Sequence, residues 1–275
     1  MTPDNDTSTA PFGALAPNAA QAAVIRLVQR SGLKRGVFRP WMSRLINLMR
    51  PGPVDAQYQG ASFRFYHLLS ATERGALFNP DYNLDELSFL RAHTPDGGVF
   101  VDIGANVGTY ALTLANKVGK SGTVIAVEPH PVAHDRLAFN RAASGLAQVK
   151  LLAAAAGAEN GELLMETDSA NLGASHVASG ASGGHTFRVP AFTLQQILSD
   201  AGVSKMDALK IDVEGFEDRV LTCFFAQAPQ TLWPRAVVIE HLERKNWQHD
   251  CIDDMVSRGY REERKTRSNT LLARG

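Results

Sequence analysis

Cysteine is scarce in this chain: only Cys223 and Cys251 occur among 275 residues, and they fit no metal-ligand spacing. A disulfide framework and a cysteine-based zinc site are excluded, so both read as buried thiols in helical segments, within a reducing compartment. Net charge is absent too, with Lys plus Arg and Asp plus Glu at 28 each. A balanced chain projects no long-range field of one sign, which argues against nucleic acid as a partner. No uncharged apolar run reaches the ~18 residues of a spanning helix, and the opening Met-Thr-Pro-Asp-Asn-Asp has neither the basic start nor the apolar core of a secretory signal. The expected location is cytoplasmic.

Acid is missing over one long stretch. Between Thr7 and Val54 there is no Asp or Glu, while Arg26, Arg30, Lys34, Arg35, Arg39, Arg44 and Arg50 stand among Val24, Ile25, Leu27, Val28, Trp41, Met42, Leu45, Ile46 and Met49 at roughly helical spacing. A basic amphipathic segment of this kind either makes peripheral contact with an anionic membrane or packs on a main domain with its cationic face solvated; the second is the commoner outcome. Residues 1 to about 20 carry no periodicity and read as a disordered or loosely attached leader. Residues 57–66 read as a β-hairpin turning near Gly60, and Leu84 to His93 as a helix. The expected organisation is a leader and basic helical extension over 1–55, a hairpin and helix over 56–94, and a main domain over 95–275.

The 44% apolar content is ample for a packed core. Strands at 99–103, 123–128, 149–153, 206–212 and 235–240 alternate with helices at 107–117, 131–143, 193–201, 216–226 and 246–257. That alternation specifies a doubly wound, mostly parallel α/β sheet, with 259–272 closing as an antiparallel hairpin at one edge. Between 154 and 190 it pauses at short strands near 162–166 and 186–190. They bracket a Gly, Ser and Ala rich loop, 171–184, that is a candidate lid with His176 as a further candidate base.

The chemistry starts at Val99-Phe-Val-Asp-Ile-Gly-Ala-Asn-Val-Gly-Thr-Tyr110, an apolar strand that ends in Asp102 and turns through Gly104 and Gly108 into a helix. A strand, a tight glycine turn and a helix N-terminus place backbone N–H groups against a ligand. Dinucleotide sites need glycines at i, i+2 and i+5; counted from Gly104, this chain has Asn106 and Thr109 instead. An acid beside the turn repels a pyrophosphate and suits a cationic centre, such as the sulfonium of S-adenosylmethionine. The next strand, Thr123-Val-Ile-Ala-Val-Glu128, closes on an acid about twenty residues later, where a Rossmann-like sheet grips both ribose hydroxyls.

A second acidic block, Leu209-Lys-Ile-Asp-Val-Glu-Gly-Phe-Glu217, follows the same pattern, and Ala236-Val-Val-Ile-Glu-His241 ends in Glu240 and His241. Asp212 and Glu214 share a side if the strand stays extended. Carboxylates beside a histidine form a plausible general base, so Asp212, Glu240 and His241 are the catalytic candidates. Hard cations need more oxygen ligands than this spacing offers, and no metal is expected. Glu217 reads as a helix N-terminal charge.

Val-Asp-Ile-Gly-Ala-Asn-Val-Gly at 101–108, Val-Glu-Pro-His-Pro at 127–131, Asn140, Asn-Leu-Gly-Ala-Ser at 171–175, Phe-Thr-Leu-Gln-Gln-Ile-Leu at 192–198 and the 209–217 block together resemble the FkbM-type S-adenosylmethionine-dependent methyltransferases, from about residue 95 to 272. The resemblance implies a class I methyltransferase fold with a seven-stranded sheet whose last strand is antiparallel. It also implies O-methylation of a hydroxyl on a sugar, polyketide or related metabolite, free or carried on a glycan or lipid. Carried over by position, Asp102, Gly104, Asn106 and Gly108 would line the methionine part of the cofactor, Glu128 the ribose, and Asp212 with Glu214 the methyl-transfer side. Gln195 departs from the family's usual acid in Thr-Leu-Asp, which leaves any role of that acid open. A nicotinamide-dependent oxidoreductase and a non-catalytic, membrane-docked nucleoside-binding scaffold stand as alternatives; neither the acceptor nor the oligomeric state is readable.

Overall fold

The computed structural model describes residues 9–167, 175–177 and 185–275. In chain order, helices α1 (Ala19–Gln29) and α2 (Arg39–Met49) precede the hairpin β1 (Val54–Tyr58) and β2 (Ala61–Phe65), then α3 (Ala71–Phe78) and α4 (Leu84–His93). The main sheet opens with β3 (Val99–Ile103), α5 (Ala111–Val118), β4 (Thr123–Val127), α6 (Pro131–Ser144) and β5 (Val149–Leu152). A small side sheet follows, made of β6 (Ala155–Ala156), β7 (Gly161–Thr167), β8 (Ser175–Val177) and β9 (His185–Phe192). After it come α7 (Leu194–Asp200), β10 (Ala208–Ile211), α8 (Glu217–Gln227), β11 (Ala236–Glu240), α9 (Cys251–Ser257), β12 (Tyr260–Lys265) and β13 (Asn269–Arg274).

The main sheet has seven strands in the order β12-β13-β11-β10-β3-β4-β5. Strands β11, β10, β3, β4 and β5 are parallel, and the final β13 enters antiparallel between β11 and β12. Alternation along each strand divides the core in two. Phe100, Val124, Ala126, Ala208, Ala236 and Val238 pack with α4, α5 and the N-terminal elements, while Val101, Ile103, Ile125, Val127, Leu209, Ile211, Val237 and Ile239 pack with α7, α8 and α9. Ile25, Val28, Ile46 and Phe63 belong to the first cluster, so the expected boundary at residue 95 is no break in packing. No helix among the described residues is long and apolar enough to cross a membrane.

Local chemistry sets where several elements begin. Helix α1 starts at a reciprocal cap in which Asn18 and Gln21 satisfy each other's backbone N–H. The hairpin turn places Gln59 and Gly60 at φ 49° and 85°, the two positive values of a tight turn matched to strand twist. Helix α5 begins at Ala111 rather than at residue 107, because Gly104, Asn106 and Gly108 all hold positive φ and cannot continue a right-handed helix. Helix α9 begins at Cys251 rather than 246, where Asp250 accepts the N–H of Ile252 and Asp253; Arg244–Asn246 forms only a single 3-10 turn. Cys251 is buried as expected, whereas Cys223 is partly exposed.

The leader is not loose throughout. Its first eight residues and most of the 171–184 loop lie outside the described residues. From Ala10 onward it is tied down by a buried ion pair, Arg64 Nε to Asp55 Oδ1 at 2.7 Å and Nη2 to Oδ2 at 2.9 Å. Arg64 also donates to the carbonyls of Ala10 and Pro11, and Asp55 Oδ2 accepts N–H from Gly13 and Leu15. Removing one partner of a fully buried pair strands the other charge without water. Arg64→Ala should lower unfolding free energy by about 3 to 5 kcal/mol in urea titrations; a loss under about 1 kcal/mol would show that the pair is not what fixes the leader.

Candidate functional site

Strands β3 and β10 are neighbours, yet α5 after β3 and α8 after β10 pack on opposite faces of the sheet. A crevice opens between the carboxyl ends of such strands, where the chain diverges. Gly104 occupies that point at φ +74°, and a Cβ there would come within 1.9 Å of the Asp212 carbonyl oxygen. Only glycine permits this approach of the two strand tips. The crevice is lined by residues from both tips, from β4 and from outside the main domain.

On the β4 side lies Glu128, whose carboxylate accepts N–H from Asn106 (2.8 Å) and His130 (2.8 Å). Burial pushes it up to about 7. Gly104, Asn106 and Glu128 all line the crevice. Two residues grouped with them by sequence do not. Asp102 is fully buried behind the wall, its Oδ2 accepting the Ala111 N–H at 2.9 Å and its Oδ1 lying 3.6 Å from Lys210 Nζ. It anchors the positive end of α5 and a buried cation rather than lining the crevice. Gly108 also lies off the crevice: a Cβ would meet Leu137 Cδ1 at 2.5 Å and Leu112 Cγ at 3.0 Å, so it serves the packing of α5.

Lys210 belongs to no candidate group in the sequence, although a lone charge inside the apolar strand 208–211 is a signal. Its Nζ donates to the Gly104 carbonyl at 2.7 Å and stands 3.5 Å from Asp212 Oδ2. Burial works against its charge, but Asp212 and Asp102 outweigh that and raise its pKa.

On the opposite side the strand does not stay extended. β10 ends at Ile211, and Glu214 and Gly215 take φ of 53° and 93°, so Asp212 and Glu214 reach the crevice through a turn rather than by strand alternation. Glu217 is more than a helix-end charge: it accepts N–H from Val213 (2.7 Å), Gly215 and the Trp247 indole (3.0 Å). Oxygens of Asp212, Glu217 and Glu240 lie within 4.8 Å of one another, a spacing that one hard divalent cation could bridge. The sequence places Asp212 and Glu240 at neighbouring strand ends; the member it does not announce is Glu217, which the turn after β10 brings to them. Glu240 is 9% exposed with Oε2 unpartnered among the described residues, and burial followed by Asp212 and Glu214 pushes it to about 9. Glu214 is held at about 7 by burial, Asp212 and Glu217.

His241 is not brought into this group. Its Nδ1 lies 3.0 Å from the Thr270 hydroxyl and its N–H donates to the Ser268 carbonyl, off the crevice lining. Successive residues at a strand end face opposite ways, so Glu240 and His241 cannot both turn inward. Tyr82 and Asn83, from the α3–α4 connection, and Asn269 do line the crevice. No sequence signal marks them, because only tertiary packing brings them there.

Raised carboxyl groups make stability depend on pH. Between the unfolded value of 4.5 and the folded values of Glu128 and Glu214 (about 7) and Glu240 (about 9), the folded chain binds more protons than the unfolded one. Their contribution is complete below about 4.5 and is lost as pH rises through about 7 and then about 9. Melting temperatures should therefore fall less between about pH 5.5 and about pH 8.5 in Glu240→Gln than in the wild type. Parallel curves would mean that Glu240 is already ionised at neutral pH.

The family model described as methyltransferase FkbM domain matches residues 102–262. No curated protein matches the chain. Similar solved structures include a precorrin-6y C5,15-methyltransferase from Geobacter metallireducens, 14% identical over 70% of this chain and 88% of that one at a TM-score of 0.42. An rRNA methylase from Streptococcus thermophilus is 12% identical over 69% and 94% at 0.42, and M. capricolum TrmK with S-adenosylhomocysteine is 12% identical over 68% and 66% at 0.39. The family match spans more than half of the chain and contains the glycine turn, Glu128 and both acidic strand tips. The chain belongs to the FkbM methyltransferase family, whose members depend on S-adenosylmethionine.

Proposed function

We propose that this methyltransferase acts on a hydroxyl oxygen of a sugar, polyketide or related metabolite, with the cofactor along the β3 and β4 tips and the acceptor on the β10 side. The observation that carries this reading is Glu214, a crevice-lining carboxylate held at about 7 opposite Glu128. A hydroxyl must lose its proton as it is methylated, and a base poised near the working pH is best placed to take it. A base so poised suits an oxygen acceptor, which sheds its proton as the methyl group arrives.

The cradle fits the cofactor by its donor set. Gly104 puts no side chain into the strand divergence, its backbone being tied to Val127 and Lys210, and Glu128 presents a carboxylate already fixed by two N–H groups, suited to accept vicinal hydroxyls. When bound, S-adenosylmethionine supplies an activated methyl group on a cationic sulfur. Asp212 and Glu214 give that wall the negative charge a sulfonium favours. Asp102 and Lys210 hold the two tips in register, and Asp212 keeps the acceptor side anionic. Among the catalytic candidates, Asp212 borders the acceptor, Glu240 sits behind it, and the base is assigned to Glu214 rather than His241.

Calorimetry with S-adenosylhomocysteine separates the two sides. Glu128→Ala should weaken binding by about 1.5 to 3 kcal/mol, the loss of a charge-assisted contact; unchanged affinity refutes the ribose assignment. Glu214→Gln should keep that affinity yet lower kcat roughly 100-fold or more, and should abolish a rise of kcat through about pH 7. If His241→Ala is the variant that loses turnover, the base has been misassigned.

A further inference from the structure

We propose that the α1–α2 arm is a docking surface for an anionic lipid bilayer.

Helix α2 buries Ser43 and Ile46 against the body of the protein. Its other face is apolar. Trp41, Leu45 and Leu48 recur at i, i+4 and i+7 and are 64%, 38% and 83% exposed, and Val37 just before the helix is 72% exposed. Leu27 on α1, Phe38 and Met49 extend the same arm with further exposed apolar surface. A soluble helix ordinarily turns such a stripe inward and its polar residues outward. Here the outward face is the greasy one, and nothing among the described residues covers it.

The charge beside that stripe says what does. Arg26, Arg30, Arg35 and Arg44 are exposed and make no ion pair among the described residues, and no acid lies between Thr7 and Val54. Other basic residues of the arm are committed within the fold: Lys34 pairs with Asp81 at 2.6 Å, and Arg50 donates to the Leu15 and Pro53 carbonyls. Unpaired arginines flanking exposed Trp and Leu match the two layers of a bilayer surface, with anionic headgroups above and acyl chains below. The Arg44 guanidinium stacks 5.5 Å over the Trp41 ring, at the level where headgroup and chain meet. A nucleic acid would engage the arginines but leave the aliphatic stripe in water. A second copy of the chain would cover the stripe but bring like charges together.

The opposite face of α2 is fixed to the protein: Arg39, on the side of the buried Ser43 and Ile46, lies 5.5 Å from the Tyr82 ring. The stripe of Trp41, Leu45 and Leu48 is thereby held outward by a helix that cannot turn to bury it.

Flotation of the full-length protein with phosphatidylglycerol-containing vesicles and with phosphatidylcholine-only vesicles tests the docking. Binding should require the anionic lipid and should weaken roughly tenfold or more in W41S/L45S/L48S, and equally in a variant with Arg26, Arg30, Arg35 and Arg44 changed to Gln. Leu48→Ser alone, at a site without packing to lose, should already weaken it. S-adenosylhomocysteine binding should be unchanged in all of them. Equal flotation of wild type and variants overturns the proposal, as does a wild-type dimer that the triple variant converts to monomer.

Discussion

One buried cation holds the centre of this protein together. Lys210 projects from β10 with almost no access to water, and its ammonium reaches the Gly104 carbonyl, Asp102 and Asp212. A charge so placed is tolerable only when its neighbours compensate it, so the strand tips of β3 and β10 must stay within a few ångströms of each other. That requirement selects glycine at position 104, because any side chain would strike the Asp212 carbonyl. It also explains Asp102, which balances the ammonium and fixes the first turn of α5.

The same balance shapes the site's electrostatics. Lys210 faces Asp102, Asp212 and Glu128, while Glu214, Glu217 and Glu240 crowd the same region. Negative charge exceeds positive, and low solvent access magnifies the excess. The carboxyl groups respond by holding protons: Glu214 rests near neutrality and Glu240 well above it. Under the proposed function, Glu214 is the group that takes the proton leaving the acceptor, and Asp212 is the neighbour that favours a cationic cofactor. The helices outside the sheet add the remaining wall, since Tyr82 and Asn83 are carried in by the elements that precede β3.

Much of this was readable from residue order. The strand and helix alternation, the glycine turn and the acids at successive strand ends fixed the sheet and the side of it that carries the site, because periodicity and turn chemistry are local. Boundaries failed where a local pattern was overruled by a backbone state. Helix α5 began four residues late because positive φ at three positions kept the turn open, and Glu214 reached the crevice by a turn that strand alternation does not describe. Asp102 and Gly108 matched the family pattern in sequence but serve packing and charge balance in space.

The sequence by itself determined the fold class, through the alternation of strands and helices, the cofactor class, through the glycine turn, the next acid and the family resemblance, and the presence of acids at successive strand ends, since all of these are written in local patterns. Tertiary structure alone decided which acids meet. The grouping of Asp212, Glu217 and Glu240, the diversion of His241 to Thr270 and the exposure of the apolar stripe on α2 all depend on strand pairing and helix rotation between distant segments. A helix pattern shows that one face is apolar; only the packing of its neighbours shows whether that face is covered.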